Sequence, residues 1–150
     1  MFEDLRDLYQ EVILDHGRKP RHGRKLEIFD ATAKGDNPMC GDRVTVFVRS
    51  NQGKVTEIGF EARGCAISIA SADLMAEAAF GHTPDEITEM AKSFAAMAHT
   101  GHSDDPALET LRPLAGVHEY PSRVKCATLP WAALQAALAD NGNQGVATSE

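Results

Sequence analysis

Leu5, Leu8, Tyr9, Val12 and Ile13 recur at helical spacing, and Gly17 and Pro20 then stop the run, so an amphipathic helix is predicted near the start of the sequence. Residues 26–34 read as a strand. Val44, Val46 and Val48 alternate with Thr45, Phe47 and Arg49, the signature of a half-buried strand. Asn51-Gln52-Gly53 is the turn, and Ile58, Phe60 and Ala62 share one face of the returning strand. These segments predict a small three-stranded antiparallel sheet.

The period then changes. From Ala66 to Phe80 the positions Ile67, Ala70, Leu74 and Ala78 describe a helix, ended by Gly81. Thr83-Pro84-Asp85-Glu86 is a capping box with proline at the first helical position, and it launches Ile87, Met90, Ala91, Phe94 and Met97 as a buried face. After a polar stretch, His99 to Asp105, a short helix starts near Pro106 with Leu108 and Leu111. The last helix covers Ser122 to Ala139, where Pro130 marks a kink or a restart. Residues 1–139 are expected to form one domain, and the polar, glycine-containing residues 140–150 a disordered tail. Strands followed by helices give an α+β fold with helices packed on one face of the sheet.

Composition narrows the function classes. In 150 residues, 43% hydrophobic and 25% charged, no apolar run approaches the roughly 20 residues that span a bilayer. A net charge of −7 opposes binding to phosphate backbones, which argues against a nucleic-acid partner. Arg18, Lys19, Arg21, Arg24 and Lys25 cluster in one segment, read as a solvated loop in preference to a contact for an acidic partner.

The cysteines carry the chemistry. Three cannot pair off completely, and the N-terminus has no signal-peptide pattern, so free thiols in the reducing cytoplasm are expected. Cys40 sits in the turn-like Asn37-Pro38-Met39-Cys40-Gly41-Asp42, and an extended backbone would put Asp42 on the same side. Cys65 stands where the sheet hands over to a helix, and free amides there favour a thiolate. Cys126 is flanked by Arg123 and Lys125, again a thiolate-stabilising setting. Three thiolates and the Asp42 carboxylate could make a tetrahedral Zn²⁺ site, or the thiolates could anchor an iron–sulfur cluster. No Cys-x-x-Cys pair supports a zinc-knuckle or ferredoxin pattern, and buried cysteines acting as small hydrophobes are the plain alternative. His99 and His102, separated by Thr100-Gly101, read as two exposed imidazoles, and Ser68 and Ser71 as small packing residues.

At these residues the chain resembles the IscU-like proteins of iron–sulfur cluster assembly, and within them the SufU type. The resemblance is carried by Asp15-His16 with Pro20-Arg21, by Asn37 through Asp42, by Gly64-Cys65-Ala66-Ile67-Ser68-Ile69-Ala70-Ser71, and by Arg123 through Leu129 with Trp131. Scaffold-type members have a histidine immediately before the third cysteine, where this chain has Lys125. They also have a Leu-Pro-Pro-Val-Lys motif that Tyr120-Pro121-Ser122-Arg123 does not match, and the long Gly81–Val117 region is consistent with a SufU-type insertion. The resemblance implies Zn²⁺ bound by Cys40, Asp42, Cys65 and Cys126. It further implies that Cys40 accepts persulfide sulfur from a PLP-dependent cysteine desulfurase of the SufS type, for delivery to the downstream assembly machinery. The competing expectation is a scaffold on which a [2Fe–2S] cluster is built. A third is a metal-stabilised interaction domain without sulfur chemistry.

Overall fold

Gln52 and Gly53, at φ 55° and 81°, form the two-residue turn that joins β2 (Asp42–Asn51) to β3 (Lys54–Arg63). The computed structural model describes residues 11–37, 41–139 and 144–148. In the β2–β3 hairpin Val44, Val46 and Val48 face Ala62, Phe60 and Ile58, so the alternating valines and the returning apolar positions share the inner face. β1 (Ala31–Asn37) pairs antiparallel on the other side of β2, and its last residue, Asn37, is opposite Asp42. This is the expected three-stranded antiparallel sheet with helices on it.

Two segments depart from the sequence reading. The first strand begins at Ala31, because residues 24–28 cross the outer face of the sheet. There Leu26 is buried against Gly59 of β3, where a Cβ would stand 2.9 Å from its Cδ2. Phe29 meets Phe47 edge-on at 5.1 Å, and the Lys25 ammonium lies 5.9 Å from the centre of the Phe47 ring. The outward Phe47 is thereby covered without a helix. The second departure lies in the expected tail, where Gln144–Thr148 forms a short strand, β4, parallel to β1. The free edge of β1 offers unpaired backbone groups, which this segment satisfies.

α1 (Glu11–Arg18) buries Ile13 and packs on α2 (Ala66–Ala79); Leu5, Leu8 and Tyr9 lie outside the described residues. α2 is apolar on most of its surface because it is enclosed by α1, the sheet and α4 (Pro121–Ala139). α3 (Pro84–Thr100) starts on the predicted capping box: Thr83 Oγ1 accepts from Glu86 N at 3.2 Å, and Glu86 Oε1 accepts from Thr83 N at 3.0 Å. Between α3 and α4, Pro106–Glu119 winds as 3₁₀ helix. Leu108, Leu111, Leu114 and Val117 are all buried, and this period of three suits three residues per turn.

The placement of α4 fixes one end of the sheet. β1 presents Ala31, Ala33 and Gly35 inward, and a Cβ at Gly35 would come 3.0 Å from Leu129 and 3.3 Å from Ala133. Only small residues allow so close an approach. One turn before Leu129, Cys126 is carried to the end of the sheet where β1 meets β2. Ser71 Oγ donates to Ala127 O at 2.5 Å and ties α2 to α4 at the same level. Trp131 stacks on Phe94 at 5.4 Å, holding α3 to the far side of α4. Among the described residues no helix is long and apolar enough to cross a membrane.

Candidate metal centre

Asp42 opens β2, Cys65 caps α2, and Cys126 lies in the second turn of α4. The three meet. One carboxylate oxygen and the two sulfurs lie within 4.8 Å of one another. Asp42 and Cys126 are buried and Cys65 is half-buried. Cys40, the fourth residue of the expected set, lies outside the described residues; Gly41 alone separates it from Asp42 in sequence.

The two carboxylate oxygens of Asp42 face different atoms of Cys65. Its Oδ1 accepts from the Cys65 backbone N–H at 3.0 Å, fixing the entry to α2. Its Oδ2 lies 3.8 Å from Cys65 Sγ, on the side that faces the thiols. Gly64 makes this possible, since with φ at 148° and no side chain it leaves room for the carboxylate.

The thiols share their protons unequally. The Cys65 thiol is pulled down to about 6, chiefly by the hydrogen bond from Cys126 and then, against the effect of burial, by the N–H groups of Ser68 and Ile67 at the start of α2. The Cys126 thiol is pushed up, by holding the proton it shares with Cys65, by burial, and by the Asp42 carboxylate. It also lies 3.5 Å from the Ser122 carbonyl, an acceptor one turn back. The thiolate-stabilising setting predicted for Cys65 therefore stands. The one predicted for Cys126 does not: its sulfur lies buried beside Cys65 and the Asp42 carboxylate, and both favour its protonated form.

Two sulfurs and one carboxylate oxygen, converging in a largely buried site, match the donors of a borderline dication such as Zn²⁺. They also suit an iron–sulfur cluster through the thiolates alone. Without a cation the group must retain protons to limit repulsion between its charges, as the raised Cys126 thiol shows.

The other candidates resolve as structure. His99 Nδ1 contacts Ala95 O at 2.9 Å and His102 Nε2 contacts Asp104 at 3.3 Å, so the two imidazoles serve separate exposed sites around the Gly101 helix cap. Ser68 and Ser71 are fully buried. Sequence reading passed over Asp73, a fully buried carboxylate on α2 that lies 2.5 Å from His16 Nδ1 and accepts from His22 N at 2.8 Å. The available signal was a lone acid between Ala72 and Leu74 on an otherwise apolar stretch.

Comparison with known proteins bears on the family. The model of the NifU-like N terminal domain matches residues 8–144. The iron–sulfur cluster assembly scaffold protein IscU of Streptococcus pyogenes serotype M1 is 35% identical over 142 residues, 93% of this chain and 87% of that protein. The zinc-dependent sulfurtransferase SufU of Bacillus subtilis is 36% identical over 143 residues, 93% of this chain and 97% of that protein. A crystal structure from Fervidobacterium islandicum AW-1, described as a scaffold protein for the SUF system, superimposes with a TM-score of 0.82 at 36% identity, covering 87% of this chain and 96% of that one.

Proposed function

Because the chain belongs to the NifU-like N-terminal domain family, we propose that it acts in iron–sulfur cluster assembly as a zinc-dependent sulfurtransferase. In this reading Cys40 accepts sulfur from a PLP-dependent cysteine desulfurase of the SufS type, and Cys40, Asp42, Cys65 and Cys126 are the zinc ligands. The observation that carries it is the buried grouping of Asp42, Cys65 and Cys126, with Lys125 and not histidine preceding the last of them. A lysine cannot replace an imidazole as a ligand while it carries its proton, so this donor set is sulfur and carboxylate.

Bound zinc would supply one thing to this chemistry, which is to keep thiols deprotonated near neutral pH. The chain's own residues do the rest. Asp42 orients Cys65 through its backbone N–H, while the first turn of α2 stabilises negative charge on the Cys65 sulfur. In the transfer, the Cys40 thiolate attacks the outer sulfur of the desulfurase persulfide. The donor S–S bond breaks, its electron pair leaves on the desulfurase cysteine, and a new S–S bond forms on Cys40, so no external oxidant or reductant is needed.

The second reading is a scaffold that assembles a [2Fe–2S] cluster on the same cysteines. It is favoured by the streptococcal relative, which is named a scaffold and is nearly as similar as the sulfurtransferase. Metal analysis of the purified protein separates the two. One zinc per chain in a colourless solution supports sulfur transfer; a coloured, air-sensitive protein containing iron and sulfide supports the scaffold and overturns the zinc reading.

A further inference from the structure

Ser68 and Ser71 of α2 are both fully buried, but their hydroxyls are placed differently. Ser71 Oγ donates to Ala127 O at 2.5 Å, whereas Ser68 Oγ has no hydrogen-bond partner among the described residues. An unpaired buried hydroxyl costs free energy, and this one stands in the first turn of α2, three residues after Cys65. We propose that Ser68 is a positioning residue of the thiol centre, whose hydroxyl donates to the Cys65–Cys126 thiolate pair once a metal ion is bound there. The inference rests on the zinc-dependent reading of that centre.

Helix geometry directs the side chain toward this centre. At about 3.6 residues per turn, Ser68 falls between Cys65 and Ser71 around the α2 axis. Both of those residues meet one stretch of α4: the Cys65 sulfur is hydrogen-bonded to that of Cys126, and Ser71 to the carbonyl of Ala127. Ser68 therefore faces the same stretch. Its Cβ leans toward the N-terminus of α2, over the turn that Cys65 begins, and its own N–H already reaches the Cys65 sulfur. Thr32 Oγ1 and Trp131 Nε1 are also buried without a partner among the described residues, but Thr32 lies within β1 and Trp131 stacks on Phe94 of α3.

The chemistry explains why the hydroxyl is idle in one form and engaged in the other. In the metal-free protein the Cys65 sulfur already accepts from Cys126 and from the N–H groups of Ser68 and Ile67. A metal-bound cysteine is a thiolate, so both sulfurs then accept and neither donates. Together with the Asp42 carboxylate the ligands are all anionic. A hydroxyl proton turned toward the sulfurs spreads that charge, and it needs only a rotation about χ1 that leaves the backbone of α2 in place. Outer hydrogen bonds of this kind orient metal ligands and tune the metal they hold.

The test compares the metal-free and Co²⁺-loaded forms of the full chain by absorbance, affinity and thermal unfolding. Ser68→Ala should bind Co²⁺ roughly 10–100-fold more weakly. Its thiolate-to-cobalt charge-transfer band should move to longer wavelength, because a thiolate relieved of a hydrogen bond gives up its electron more readily. Metal-free, the variant should melt no lower than the parent, since an unpaired buried hydroxyl has been removed. Ser71→Ala should do the reverse, lowering the melting temperature of the metal-free protein and leaving the band in place. Unchanged affinity and band position in Ser68→Ala, a metal-free Ser68→Ala that melts below the parent, or a band moved equally by Ser71→Ala would overturn the proposal. A parent protein that binds Co²⁺ without any thiolate charge transfer would instead overturn the zinc-dependent reading, and the role of Ser68 with it.

Discussion

The Asp42 carboxylate occupies the space that a side chain on Gly64 would need: a Cβ at residue 64 would overlap Oδ1 and stand 2.7 Å from Cγ. Gly64 also holds φ at 148°, where an L side chain is strained. Gly64→Ala is therefore expected to displace Asp42 from the Cys65 N–H. The variant should lose about 1–3 kcal/mol of stability and retain less metal. Thermal unfolding with parallel metal analysis checks both. A variant that loses stability but keeps its metal at the parent level would show that Asp42 serves the helix entry alone.

Asp42 itself can be divided by chemistry. Asp42→Asn preserves an oxygen acceptor for the Cys65 N–H, now at 3.0 Å, but removes the charge that a dication needs. Its metal-free form should be at least as stable as the parent's, since one anion beside the thiols is gone, yet its zinc content should fall. Asp42→Ala leaves the half-buried N–H without this acceptor and should cost about 1–3 kcal/mol even without metal. Chemical denaturation of the metal-free proteins, set against their zinc affinities, distinguishes the two effects.

In metal-free Cys40→Ser, only Cys65 and Cys126 remain as thiols. Cys65 is lowered to about 6 from the ordinary 9.0, while Cys126 is raised. Between these two pH values the native pair binds one proton where the unfolded chain binds two, so the pair's contribution to stability grows as pH rises from 6 to 9. It is lost as pH falls through 6. Above 9 the unfolded chain has released both protons while the native state still holds that of Cys126, and the contribution declines again. Thiolate ultraviolet absorbance should report one thiolate with a midpoint near 6, absent in Cys40→Ser/Cys65→Ser, and the stability difference between these two variants should follow the same window.

How much of this was legible in the sequence depends on the range of the interaction. Val44, Val46 and Val48 declare their face by alternation, and Thr83 through Glu86 declare a helix start, because both are settled within a few residues. The helical stripe Leu108, Leu111, Leu114, Val117 contained its own period of three, although only its first half was read as a helix. Contacts between distant segments left no such trace. Leu26 lies over Gly59, Gln144–Thr148 joins the edge of β1, and His16 reaches Asp73 on another helix. The meeting of Asp42, Cys65 and Cys126 was anticipated from residue type and resemblance. The proton held by Cys126 was not, since its basic sequence neighbours say nothing of what its buried sulfur faces.

Removing the metal should destabilise the domain without unfolding it. Structural zinc contributes about 10–16 kcal/mol of binding free energy in small peptides, but here a core spanning both faces of α2, the sheet and α4 persists without it. Complete chelation is expected to lower the melting temperature while the far-ultraviolet circular dichroism at 25 °C is retained. An unchanged melting temperature would mean that the thiol centre does not couple metal binding to folding.

Sulfur acceptance by Cys40 is the central claim, and peptide mass spectrometry tests it most directly. The zinc-loaded protein is incubated with a SufS-type desulfurase and cysteine, then trapped and digested. The added sulfur should appear on the Cys40 peptide before it appears on those of Cys65 or Cys126, and Cys40→Ser should neither carry it nor stimulate desulfurase turnover. Sulfur appearing first on Cys65 or Cys126, or undiminished stimulation by Cys40→Ser, would contradict the assignment.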